Sequence, residues 1–166
     1  MFREMRRSRQ SLPEEEIIQI FNRGTSGVLS CSGDNDYPYA VPVSFVYHDR
    51  ALYFHTALTG HKVDALRRNS KVSFCVIDQD IVVPEEVTTY YRSAIAFGTA
   101  RILDTEPEKM TAARLLTDKF ASDCPEAVEE DIRKNYDRMY MVEIKIDHMT
   151  GKESLKLTKQ RADGNH

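Results

Sequence analysis

The stretch from Tyr53 to Val76 constrains the fold most, because its periodicity changes twice within a short span. Tyr53 and Phe54 end an apolar, β-prone run. Gly60 accepts backbone angles that other residues avoid. Val63 and Leu66, with Arg67 beside them, share one side of a short helix. Arg68-Asn69-Ser70 closes that helix and Val72 opens another strand. The helix begins with His61 and Lys62, and Thr56 and Thr59 lie just before it. A helix N-terminus has unsatisfied N–H groups and a partial positive charge, so with Lys, His and hydroxyls added the place suits a phosphate. The same residues also make a solvated loop ahead of an ordinary helix, and local physics alone favours that plainer reading.

The flanking sequence places this unit in an antiparallel context. Ser11-Leu12-Pro13-Glu14 starts a first helix, with Ser11 as a cap and Glu14, Glu15 and Glu16 complementing the dipole. Ile17, Ile18, Ile20 and Phe21 give it an apolar face, and Gly24 ends it. The period then changes to two. Gly27 to Cys31 is a strand, Ser32 to Asp36 a hairpin turn, Tyr37 to Tyr47 a second strand interrupted by Pro38 and Pro42, and Ala51 to His55 a third. Lys71 to Asp78, Arg92 to Ile102 and Met139 to Ile146 add three more. Gln79 to Tyr91 reads as an irregular segment, of a length often functional or interfacial. Asp104 to Phe120 and Ala127 to Arg133 are helical. Six strands with short turns predict a mainly β protein, a closed or nearly closed antiparallel β-barrel with peripheral α-helices.

Length and composition bound the rest. A chain of 166 residues is most simply one domain, 1–166, with a basic arm over 1–10 and a mobile polar tail over 155–166. With 41% hydrophobic and 30% charged residues it is globular rather than disordered. A net charge of -3 gives no global attraction to nucleic acid or an anionic membrane, and no stretch is apolar enough to span a bilayer. The arm, with Arg3, Arg6, Arg7 and Arg9, lacks the apolar core of a secretory signal. Cys31, Cys75 and Cys124 form no CxxC and read as reduced thiols of a cytoplasmic protein, with no metal site expected.

No GxSxG, P-loop or HExxH occurs, and the histidines at 48, 55, 61, 148 and 166 lack metal-ligand spacing. The phosphate-friendly turn and strand ends rich in aromatics and hydroxyls suit a phosphorylated flat ligand. Its phosphate would meet His61 and Lys62. Its ring would lie along Val43 to Val46, where Pro42 leaves backbone groups free.

The ordered motifs carry a resemblance over nearly the whole chain. They are Met5-Arg6-Arg7, Gly27-Val28-Leu29-Ser30, Tyr37 through Tyr47, and Tyr53-Phe54-His55 to Gly60-His61-Lys62. Asn69 with Lys71-Val72-Ser73-Phe74, Tyr90 to Ser93, Phe97-Gly98-Thr99-Ala100 and Thr150-Gly151-Lys152-Glu153 follow. The chain resembles the flavin-binding split-barrel superfamily that includes pyridoxamine 5′-phosphate oxidase, and more closely its nitroimidazole-resistance (Nim) branch. The resemblance implies a Greek-key split β-barrel binding FMN at a homodimer interface, with FAD as an alternative flavin. It implies flavin contacts from Pro42, Val43, Ser44, Phe45 and Val46, from His55 and Thr56, from His61 and Lys62, and from Ser93. His61 stands where the oxidase has an arginine, which loses the bidentate fork and makes that contact pH-dependent. Ser93 stands where the oxidase has a longer glutamine. The oxidase's C-terminal substrate pattern is absent, so the vitamin B6 reaction is not implied. The expected activity is flavin-dependent reduction of a small nitro-aromatic or related acceptor, with His55 and His61 as candidate catalytic groups. Three other readings stay open: a haem-binding split barrel with a histidine ligand, a flavin-binding module without turnover, and a barrel that has lost its cofactor.

Overall fold

The computed structural model describes residues 1–164. Seven strands form one antiparallel sheet in the order β2-β1-β5-β6-β7-β4-β3. They are β1 (Ser26–Ser32), β2 (Pro38–Ser44), β3 (Val46–His48), β4 (Ala51–Ala57), β5 (Lys71–Val83), β6 (Thr88–Ile102) and β7 (Met139–Glu153). The helices are α1 (Glu14–Arg23), α2 (His61–Arg68), α3 (Glu106–Ala121), α4 (Pro125–Asn135) and α5 (Leu155–Ala162).

The second predicted strand is in fact two. It breaks at Phe45, and the halves, β2 and β3, occupy opposite edges of the sheet. A single residue joins the two edges, so the sheet must roll until they meet. The result is a barrel split along the seam between β2 and the β3–β4 pair. Phe45 is fully buried and packs edge-on to Phe74 and Phe21. Burying that ring fixes the crossing point.

Alternation of side chains divides the apolar residues into two layers. The barrel interior holds Leu29, Phe54, Phe74, Val76 and Ile144, closed by Ile20 and Phe21 of α1 and by Leu66 of α2. A second cluster lies outside the wall, where Val46 and Met141 meet Ala113 and Leu116 of α3 and Val128 and Ile132 of α4. Gly98 sits at a register shift between β6 and β7, and a Cβ there would lie 2.3 Å from the Lys145 carbonyl oxygen. The strand glycine therefore allows a close backbone approach.

Three further segments differ from the sequence-based reading. Gln79 to Tyr91 is not irregular: β5 and β6 continue as a two-stranded ribbon, turning at Pro84–Glu86 and Val87. The β-branched and aromatic residues Ile81, Val82, Thr88, Thr89 and Tyr90 suit the pairing. β7 runs past Ile146 to Glu153, and α5 occupies Leu155–Ala162. The fully buried Glu153 carboxylate accepts hydrogen bonds from Arg92 at 3.0 Å and from Arg161 of α5 at 2.9 Å, which docks that helix. The end of the expected tail, Asn165 and His166, lies outside the described residues. The N-terminal arm folds back, with Phe2 stacked on His148 at 4.6 Å and Gln10 buried. Ser11 bridges to Lys152 instead of capping α1, because the helix begins only after Pro13.

Candidate functional site

The turn after β4 builds one end of the site. Gly60 adopts φ 124°, a conformation open to glycine and strained for other residues, and α2 begins immediately after it. Lys62 turns inward at the barrel mouth. Its ammonium lies 5.6 Å from the centre of the Phe54 ring, is half-buried, and among the described residues has no carboxylate partner. Burial pushes its pKa down. The buried Cys31 thiol is nearby, and burial pushes that pKa up. His61 turns the other way. Its ring lies 4.1 Å from that of Tyr39, and its Nε2 is 3.6 Å from the Asp34 carboxylate, which also accepts a hydrogen bond from Arg68 at 3.0 Å. An inward, unpaired cation beside an outward, paired imidazole makes Lys62 the better anion anchor.

The seam forms the second part. β2 is an edge strand, pairing only with β1: Pro42 faces Val28, Val43 faces Gly27 and Ser44 faces Ser26. Its other backbone edge has no strand partner among the described residues, which leaves peptide groups there unpaired within the sheet. Pro42 is exposed on that edge, whereas Phe45 is core and Val46 pairs with Tyr53 of β4. The side chains of Phe45 and Val46 are therefore taken up by packing.

The third part is a cavity of ≈ 870 Å³ between the outer barrel wall and α3–α4. Ser44, His55, Leu116, Val128, Ile132 and Met141 contribute to its lining. Thr56 is buried while its neighbours His55 and Ala57 are exposed, so His55 faces the cavity side of the wall. His55 pairs with Met141 and Ala57 with Met139, which sets two methionines beside the imidazole. Helix α3 is fixed at both ends. At its start, Arg101 donates to Glu108 of α3 and to Glu143 of β7, both at 2.6 Å. Glu143 also accepts from the Tyr53 hydroxyl at 3.0 Å; burial, together with that bond, pushes the Tyr53 pKa up to about 12. At its far end Lys119 donates to the Gly24 carbonyl at the close of α1 and lies 4.4 Å from the Phe45 ring centre.

The structure thus brings Ser44, His55 and Thr56 to one cavity and sets Pro42 and Val43 along the adjoining seam. It holds His61 and Lys62 at the barrel mouth. It does not bring Ser93 to them within one chain. Ser93 lies on β6, paired with Ile77 and Lys152, three strands across the sheet from β2 (roughly 14 Å at the spacing of strands). Sequence reasoning missed Asp131, Asn135 and Arg138, which also line the cavity. They lie in and just after α4, where no motif marks them. Among the described residues no three His, Cys, Asp or Glu side chains gather as a metal site. No described helix is long and apolar enough to cross a membrane.

The profile of the pyridoxamine 5′-phosphate oxidase family matches residues 13–153. The chain belongs to that family. No curated protein matches it. Among solved structures it is similar to a candidate 5-nitroimidazole antibiotic resistance protein from Bacteroides thetaiotaomicron, with TM-score 0.71, 22% identity, and 86% of each chain covered. It is similar to an FAD-binding protein from Mesorhizobium loti, with TM-score 0.66, 19% identity, 87% of this chain and 97% of that one. It is also similar to an FAD and haem binding protein from Mycobacterium smegmatis, with TM-score 0.71, 22% identity, 89% of this chain and 74% of that one. At these identities the likeness establishes the split-barrel fold alone.

Proposed function

We propose that the protein binds FMN along the split seam, as a homodimer, and uses it to reduce a small nitro-aromatic or related acceptor. The observation that carries this reading is Lys62: a half-buried ammonium with no acidic partner among the described residues, at the barrel mouth, in a family whose split-barrel neighbours include flavin-binding proteins. The residues fit the cofactor in kind. Lys62 neutralises the phosphate, the turn at Gly60 leaves open space above the start of α2, and the free edge of β2 from Pro42 to Ser44 offers peptide groups to the ring's polar rim.

A bound flavin supplies the electron transfer; the chain supplies orientation, exclusion of water and charge balance. His55, on the cavity side of β4, is placed to donate or accept a proton at Nδ1 or Nε2 for a molecule held there. His61 is engaged with Tyr39 and Asp34, which favours a supporting role at the phosphate end.

The dimer reading is supported by the ribbon. Beyond the Arg92–Glu153 pair, β5 and β6 have no further strand partner among the described residues, and Ile81, Val82 and Val87 are exposed although Lys156 of α5 pairs with Glu86 at the tip. A two-stranded ribbon is marginal in water by itself. A second copy would cover it and bring a partner Ser93 within reach of the seam.

The reading is tested by adding FMN to the purified protein, dialysing, and recording the absorption spectrum for wild type and Lys62→Ala. Retained flavin that the substitution weakens supports the site. A Soret band in place of flavin would move the assignment to haem, with His55 as the candidate ligand.

A further inference from the structure

The cavity under α3 and α4 meets the seam at Ser44, and its walls have a distinct chemistry. The body is aliphatic: Ala113, Leu116, Val128, Ile132, Met139 and Met141. Asp131, Asn135 and Arg138 contribute polar groups on the α4 side. Asp131 already accepts a hydrogen bond from the Asn135 amide at 2.8 Å. Arg138, at the junction of α4 and β7, has no hydrogen-bond or carboxylate partner among the described residues, although it is exposed and lines the same cavity. An apolar chamber with few polar groups and this volume is of the size that takes a small organic ligand. A guanidinium that lines the chamber with no partner among the described residues is a planar fork suited to a carboxylate. The chamber is also held open before any ligand arrives. Arg101 and Lys119 fix the two ends of α3, the Lys109 ammonium donates to the Tyr136 carbonyl beyond α4, and Arg114 pairs with Glu129 of α4 at 3.2 Å.

We infer that this chamber is a binding site for an aromatic carboxylate: the ring system lies against Leu116, Val128, Ile132 and Met141, and the carboxylate pairs with Arg138. The inference rests on the reading of the adjoining seam as the flavin site only in making this molecule the electron acceptor. Binding itself needs no flavin. It narrows the acceptor class, because a neutral nitro-aromatic leaves Arg138 unused whereas an anionic one engages it. His55, on the barrel side of the same chamber, then faces the bound ring.

The test uses three naphthalene probes of matched shape: 2-naphthoate, 2-naphthylmethanol and 2-naphthylmethylammonium. The chain contains no tryptophan, so naphthalene fluorescence is read without that background. Titrations are run on the full-length protein with and without FMN. The naphthoate is expected to bind tightest, and Arg138→Gln to weaken it by about tenfold while leaving the alcohol within about twofold, as loss of one charged hydrogen-bonded pair requires. Thr117→Phe, which fills the chamber from α3, is expected to abolish binding of all three. Equal binding of the three probes, preference for the ammonium, or naphthoate binding indifferent to Arg138→Gln overturns the proposal. Arg138 is exposed, so this variant keeps the test intact if Thr117→Phe fails to fold. Naphthoate binding in a protein that retains no flavin sustains the chamber and removes the flavin reading; flavin retention without probe binding does the reverse.

Discussion

At the scale of single residues, Lys62 carries the most weight. Removing it as Lys62→Ala takes away an inward cation at the barrel mouth, and we expect FMN affinity to fall by about tenfold or more, with Lys62→Arg retaining most of it. Fluorescence quenching of FMN on titration measures both. The same residue fixes the pH dependence. Burial lowers the folded-state pKa of unliganded Lys62, so the unfolded chain binds more protons than the folded one across the interval between the two values. Stability of the ligand-free protein therefore gains from this group as pH rises through that interval. A bound phosphate has the opposite effect on Lys62, favouring the ammonium. FMN affinity should accordingly decline as pH rises through the depressed lysine pKa; a flat alkaline profile for wild type, matching that of Lys62→Ala, would rule out the ammonium as the anchor. Lys62 was legible from its place after Gly60 at a helix start. Its inward direction, opposite to that of His61, was not, because adjacent residues at a helix start diverge by roughly 100° and only the surrounding Tyr39, Asp34 and Phe54 decide which one is buried.

At the scale of elements, ion-pair anchors decide which helices stay docked. Arg92→Met leaves the fully buried Glu153 with Arg161 alone, and we expect a loss of about 3 kcal/mol, read by denaturant unfolding. Arg101→Met frees the start of α3. Since the Arg101 side chain is half exposed, we expect only about 1 kcal/mol and a melting temperature lower by about 2–4 °C, with weaker probe binding in the chamber that α3 walls. Strands β1, β4 and the shared part of β5 and β6 were legible because their alternation is clean. The ribbon was not: Pro84 and the acidic pair Glu85-Glu86 look like a loop, yet they occupy only its tip. The crossing at Phe45 was hidden for another reason. Residues 38–48 alternate as one strand, and only closure of the barrel sends its halves to opposite edges. Helix α5 escaped notice because its anchor, Arg161 to Glu153, depends on a buried carboxylate that no local pattern reveals.

At the scale of the molecule, the proposed dimer would account for both the exposed aliphatic ribbon and the place of Ser93 three strands from β2. We expect the protein to sediment as two chains, and the double substitution Ile81→Glu with Val82→Glu to yield monomers that retain less flavin. A wild-type monomer that holds flavin fully would remove the shared-site account while leaving Lys62 in place. The arrangement as a whole is a barrel opened along one seam, with a cation at one end and an apolar chamber beside it. The sequence motifs clustered along the seam and at the cation. The chamber arises from α3 and α4, whose residues carry only the ordinary pattern of helices packed on a wall. The most direct measurement is the absorption spectrum of the purified protein after FMN addition and exhaustive dialysis, with Lys62→Ala in parallel. A flavin spectrum retained by wild type and diminished in the variant is the expected result; a colourless wild type, or equal retention by both proteins, contradicts the placement of the flavin phosphate at Lys62.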